Sequence, residues 1–104
     1  MILAGAYQVY PRDVEEVLYE HPKVKEVAVV GVERAHEPGQ RIKAYVVLRQ
    51  GEQASQEELI ALCRRRLAEY AVPWEIEFRS ELPHSFVGKV LRRLLTEQDR
   101  PAEA

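Results

Sequence analysis

The chain has 104 residues, 46% of them apolar and 31% charged, with a formal net charge of −2 and a single cysteine. That length holds one domain, able to bury roughly two-thirds of its unfolded surface, and leaves no room for a second, catalytic one. The charge balance argues against nucleic-acid or membrane-surface binding driven by bulk electrostatics; no leader-like or membrane-spanning apolar run is present, and Cys63 among leucines points to a buried thiol in a reducing cytoplasm.

The opening "MILAGAYQVYP" starts inside an apolar run without a polar lead-in, as a segment of a longer protein would, and offers at most a short extended piece. Pro11 pre-sets a helical φ, and Asp13, Glu15 and Glu16 suit the positive end of a helix dipole. Val14, Val17, Leu18 and His21 then share one face until Pro22, which predicts a helix over 11–21. The β-branched, nearly continuous "VKEVAVVGV" predicts a central strand over 24–32, covered on both faces. Pro38-Gly39 marks a turn into "RIKAYVVLR", where Ile42, Ala44, Val46 and Leu48 alternate with Lys43, Tyr45 and Val47, so the two strands form a hairpin. Gly51 ends the second strand. Ser55 and Glu58 make a capping box for a helix over 56–70 carrying Leu59, Leu62, Cys63, Leu67 and Tyr70. After Pro73, "WEIEFRS" alternates Ile76 and Phe78 with acids, as an edge strand does, and a last helix spans 89–97. The sum is an α+β domain over 1–97, a small sheet of about three strands packed with helices, followed by a flexible polar tail over 98–104.

Few residues offer chemistry. His21, His36 and His84 lie in separate segments and no cysteine pair exists, so no metal site is expected. Ser55 is occupied as a cap, and Ser80 and Ser85 lack a glycine-flanked nucleophile elbow. Arg64, Arg65 and Arg66 read as a solvated face beside Leu62 and Leu67, with a phosphate contact as the alternative. In "LPHSFVGKVLRR", Gly88-Lys89 invites comparison with a phosphate-binding P-loop. That pattern needs a glycine and a Ser or Thr where this chain has Pro83 and Val90. Two readings of Lys89 remain from the residues alone: the exposed first residue of the last helix, or a long cation presented by an ordered loop in which Gly88 permits close approach.

Four stretches, "GAYQVYPRDVEEVLYEHPKVKEVAVVGV", "IKAYVVL", "LAEYAVPWEIEF" and "ELPHSFVGKVLRRLL", occur in order. Together they closely resemble the C-terminal lid domain of the AMP-forming acyl-CoA synthetases, members of the adenylate-forming superfamily that also holds peptide-synthetase adenylation domains and firefly luciferases. The tyrosine-proline opening and the Val-Gly-Lys-Val-Leu-Arg-Arg ending look most like long-chain fatty-acid–CoA ligases. The resemblance implies a two-step reaction. A fatty acid carboxylate attacks the α-phosphate of ATP to give an acyl-adenylate, and the thiol of coenzyme A then displaces AMP. The partner of the lid would be the N-terminal domain of the same enzyme, which binds the acid and mainly holds ATP, coenzyme A and Mg2+; the lid alone would be inactive.

On this resemblance Lys89 matches the catalytic lysine of the adenylation step. A fixed ammonium beside oxygens gaining negative charge stabilises the transition state, and it also holds together two anions that repel one another. Gly88 gives it room. Gly5, Ala6 and Tyr7 match the glycine-rich stretch that meets the pantetheine arm of coenzyme A after the lid rotates. The chain departs from the pattern at Ala6, usually a second glycine, at Gln8, usually asparagine, and at Ala71, frequently lysine, while "ERAHEPGQ" lacks the usual proline-aspartate wording. The alternatives are a free-standing interaction domain that kept this fold, told apart by the coding sequence upstream, and the lid of a peptide-synthetase adenylation domain, whose acceptor is a carrier protein's pantetheine.

Overall fold

A computed structural model describes residues 1–33 and 35–82; the expected helix over 89–97, the tail over 98–104, and with them Gly88 and Lys89, lie outside the described residues. In chain order the elements are β1 (Ile2–Ala4), β2 (Tyr7–Val9), α1 (Pro11–Tyr19), β3 (Val24–Glu33), β4 (Gln40–Leu48), α2 (Gln56–Arg66), a 3-10 turn (Glu69–Ala71) and β5 (Glu75–Phe78). The fold is the expected α+β arrangement, a mixed sheet in the order β3-β4-β5 with two helices, joined by a separate β1-β2 hairpin.

The β3-β4 pair is antiparallel, with Gly31 opposite Ile42 and Glu33 opposite Gln40. β5 lies parallel to β4, Lys43 against Glu75 and Val46 against Phe78. A parallel neighbour needs a crossover, and α2 supplies it, burying Leu59 and Cys63 against the sheet. α1 buries Val14, Val17 and Leu18 on the same face, where they meet Val27, Val29, Ala44, Val46 and Ile76. Each of the fully buried leucines contributes on the order of 1.5–3 kcal/mol through removal from water.

The 24–32 strand is not central, because β4 is. β3 is an edge strand that is nonetheless buried on both faces, with Val27, Ala28, Val29 and Val30 all under 8% exposed. Its free edge is satisfied from α1: the Val29 N–H donates to Glu15 Oε2 at 2.9 Å and the Val27 N–H to the Tyr19 hydroxyl at 3.1 Å. Helix side chains thus take the place of a further strand. The outer edge of β5 is treated alike, the Ile76 N–H donating to Gln56 Oε1 at 2.9 Å.

The second face of the sheet is buried as well, around Ala28, Val30, Tyr45, Val47 and Leu82. Lys43 is the buried charged residue there. Its Nζ lies 2.9 Å from Glu77 and 4.8 Å from the centre of the Tyr45 ring, and Arg79 covers the same ring at 4.9 Å. Burial raises the affinity of Glu77 for its proton, but the hydrogen bonds and charges of Lys43 and Arg79 outweigh it and hold the carboxyl below its usual range.

Both helices are shorter than their periodicity suggests. α1 stops at Tyr19 because His21 leaves the helical path to serve a tertiary contact: its Nδ1 accepts from the Lys23 N–H at 3.2 Å, so Nε2 carries the proton toward Glu58 Oε2 at 2.6 Å. Ser55 Oγ accepts from the Glu58 N–H at 3.0 Å as expected of a cap, but the Glu58 side chain goes to His21. α2 ends at Arg66, where Leu67 turns extended to pack on the core and the 3-10 turn carries Tyr70 away. Of the three arginines, Arg66 pairs with Glu20 and Arg64 approaches Glu69 at 3.8 Å, which is a solvated face laced with ion pairs. Of the two apolar residues that alternate with acids in β5, Ile76 is buried and Phe78 is 38% exposed.

Candidate functional site

The opening reads as more than an extended piece. β1 and β2 pair with Ala4 opposite Tyr7, which leaves Gly5 and Ala6 as a two-residue turn. Gly5 has φ +65°, whereas among the described non-glycine residues only His36 has a positive φ. A positive φ at the first turn residue alone is the II′ pattern, which asks for glycine there and not at the second position. Ala6 therefore fits the turn without strain. A Cβ built on Gly5 would meet nothing within 4 Å, so that side of the turn faces open space.

Behind this turn the hairpin meets two other segments. Tyr7 stacks on Tyr70 of the 3-10 turn, ring centres 4.2 Å apart and planes 10° from parallel. Gly39, in the loop before β4 with φ +76°, packs backbone to backbone on the hairpin: a Cβ there would stand 2.9 Å from Gly5 N and 3.1 Å from Leu3 O. The Leu3 N–H donates to Gln40 Oε1 at 3.0 Å. Between these pieces runs a groove of about 320 Å³ whose walls include Gly5, Gly39, Arg41, Tyr70 and Trp74. Arg41 lies 5.6 Å from the Trp74 ring centre and 2.5 Å from the Glu37 carboxylate.

Tyr70 and Trp74 line the groove and are 45% and 42% exposed, and Leu3, Tyr7 and Tyr10, on and just after the hairpin, are exposed as well. A concave site with apolar walls and a few convergent polar groups is the ordinary form of a ligand or partner surface. Sequence reasoning identified Gly5, Ala6 and Tyr7 but missed Gly39, Gln40, Tyr70 and Trp74 as their neighbours. Tyr70 looked like one more residue of the second helix, and Pro38-Gly39 looked like an ordinary turn. Lys89 and Gly88 lie outside the described residues. Cys63 is fully buried and burial pushes its thiol up to about 11, which is an inert structural cysteine. Among the described residues no cluster of His, Cys, Asp and Glu could hold a metal ion, and no helix is long and apolar enough to cross a membrane.

The fold places the chain among the C-terminal domains of adenylate-forming enzymes. The amide bond synthetase of Marinactinospora thermotolerans superposes with a TM-score of 0.85 at 37% identity, over 97% of this chain and 20% of that one. The fatty acyl CoA synthetase of Mycobacterium tuberculosis superposes with a TM-score of 0.81 at 35% identity, over 95% of this chain and 19% of that one. The pattern of the AMP-binding enzyme C-terminal domain matches residues 13–89, and the chain belongs to that family. In sequence it is 52% identical over 99 residues to the long-chain-fatty-acid–CoA ligase of Bacillus subtilis, a match covering 95% of this chain and 18% of the relative. The chain thus spans about a fifth of the length of the curated relatives it matches.

Proposed function

We propose that the chain is the mobile C-terminal lid of an ATP-dependent, AMP-forming acyl-CoA synthetase of the cytoplasm that acts on fatty acids. The observation that carries this reading is the 52% identity, along nearly the whole chain, to a long-chain-fatty-acid–CoA ligase. The rest of the enzyme, including an N-terminal domain that binds ATP and the acid, is the lid's partner. Alone, the lid has no activity.

The lid uses two edges in turn. In the first half-reaction Lys89, given clearance by Gly88, brings its ammonium to the carboxylate and the phosphate side of ATP, where negative charge grows. In the second, the Gly5–Tyr7 turn faces the pantetheine arm of coenzyme A, whose thiol takes the acyl group. The open tip at Gly5 and the groove beside it suit a long amide-bearing ligand, with Tyr70 and Trp74 as apolar walls and the Arg41 guanidinium at the margin. The exposed aromatic rim suits docking against a larger domain. Mg2+ would take its protein ligands mainly from that domain.

The test is the pyrophosphate released by the full-length enzyme carrying Lys89→Ala, with fatty acid and ATP supplied. Loss of release by several orders of magnitude, with a folded protein, supports the assignment. Release at the wild-type rate removes it.

A further inference from the structure

We infer that Gln40 and Gly39, at the start of β4, are positioning residues that set the angle at which the Gly5–Tyr7 turn meets coenzyme A. This deepens the reading above and rests on it. A two-stranded hairpin is marginal by itself, so the direction of its tip depends on what holds it. Ile2 and Val9 anchor its far end in the core. Nearer the tip, the outward-facing N–H of Leu3 donates to Gln40 Oε1 at 3.0 Å, one residue from the end of β1.

The Gln40 side chain reaches that position by crossing over Gly31 of β3. A Cβ at residue 31 would stand 2.9 Å from Gln40 Cδ, 3.0 Å from Nε2 and 3.0 Å from Ile2 Cγ2. The absence of a side chain at Gly31 is what leaves the amide its place. Gly39 completes the arrangement, because its backbone touches that of Gly5 with no room for a methyl group. Three residues from two strands and a loop thus converge on the last residues before the turn.

The contact lies at the solvent edge, with Leu3 46% exposed, so it buries little and adds little to global stability. Its consequence is local: without the Gln40 bond the tip gains freedom to swing, and the fraction of time spent in the CoA-competent orientation falls. Loss of one ordinary hydrogen bond corresponds to a change of about fivefold to tenfold in such a population.

The experiment compares Gln40→Leu, which removes the acceptor, with Gln40→Glu, which keeps one, in the full-length enzyme. Each half-reaction is followed separately: pyrophosphate release, and thioester formation from supplied acyl-adenylate with coenzyme A varied. Gln40→Leu should raise the KM for coenzyme A about fivefold to tenfold and leave pyrophosphate release within about twofold. Gln40→Glu should restore the KM to within about twofold, and Gly31→Ala, by displacing the amide, should behave like Gln40→Leu. In the 104-residue chain the Leu3 amide should exchange with solvent about fivefold to tenfold faster in Gln40→Leu and return toward normal in Gln40→Glu. An unchanged KM in Gln40→Leu, equal losses in both half-reactions, or no rescue by glutamate overturns the inference. Ala6→Trp separates the two levels. If it slows thioester formation while Gln40→Leu does not, only the positioning role falls; if Ala6→Trp is also without effect, the role assigned to the turn falls with it.

Discussion

Replacing Gly39 by alanine tests the packing of the two turns directly, because Gly51 provides an internal control. Both glycines have φ in the left-handed region, +76° and +84°. An L side chain there costs about 1–2 kcal/mol whatever surrounds it. At Gly51 nothing lies within 4 Å of the added Cβ, so Gly51→Ala should cost only that amount. At Gly39 the same methyl would stand 2.9 Å from Gly5 N and 3.3 Å from Gly5 Cα, both backbone atoms that cannot move without shifting the hairpin. Overpacking of this kind adds about 1–3 kcal/mol. Gly39→Ala should therefore destabilise the chain by about 2–5 kcal/mol, measured by urea unfolding followed through circular dichroism. At about 4–8 °C per kcal/mol for a domain near this size, the gap between the two variants should be visible in thermal scans as well. Equal stability of Gly39→Ala and Gly51→Ala within about 0.5 kcal/mol would refute the close backbone contact.

Three further outcomes follow from the same structure. A double-mutant cycle on Tyr7→Ala and Tyr70→Ala should give a coupling of about 0.5–1.5 kcal/mol, as expected for a stacked aromatic pair, and near-zero coupling would mean the stack is not formed in solution. Cys63, with its thiol raised from 9.0 to about 11, should hold about a hundredfold less thiolate than the unfolded chain and should alkylate only after denaturation; rapid labelling of the folded chain at pH 8 would contradict its burial. The hydrogen bond from His21 holds the Glu58 carboxyl below its ordinary value of 4.5. A depressed carboxylate stabilises the fold fully above that value and loses its effect as pH falls through the lower, folded one. The stability difference between the wild-type chain and Glu58→Gln should thus shrink as pH falls below about 4.5; a difference that grows there would reverse the assignment.

α1, α2 and the β3-β4 hairpin were legible in the sequence because each rests on local signals: Pro11 at a helix start, Ser55 as a cap, Pro38-Gly39 at a turn and runs of β-branched residues. The order of strands was not, because it depends on partners far apart in the chain. β3 reads as a central strand from its apolar run, yet it is an edge made safe by Glu15 and Tyr19 of α1, which hydrophobicity does not reveal. Helix ends were misjudged for the same reason. Periodicity continues past Tyr19 and Arg66, but His21 and Leu67 are drawn off by tertiary contacts. At the candidate site, Gly5, Ala6 and Tyr7 were found through a resemblance of motif. Their neighbours Gly39, Gln40, Tyr70 and Trp74 come together only through the sheet. Ala6 stands where the family pattern usually has a second glycine. The turn itself accepts that alanine, because it requires glycine only at its first position.

If one lid serves two half-reactions with two different edges, variants at the two edges must fail in different steps. Lys89→Ala and Ala6→Trp would be placed separately in the full-length enzyme, and each would be assayed for thioester formation from supplied acyl-adenylate and coenzyme A. Lys89→Ala, blocked in pyrophosphate release, should convert the adenylate at close to the wild-type rate. Ala6→Trp, whose bulk falls on an open tip without straining the turn, should release pyrophosphate normally and convert the adenylate slowly. Loss of both activities in both variants, or normal thioester formation by Ala6→Trp, would contradict it.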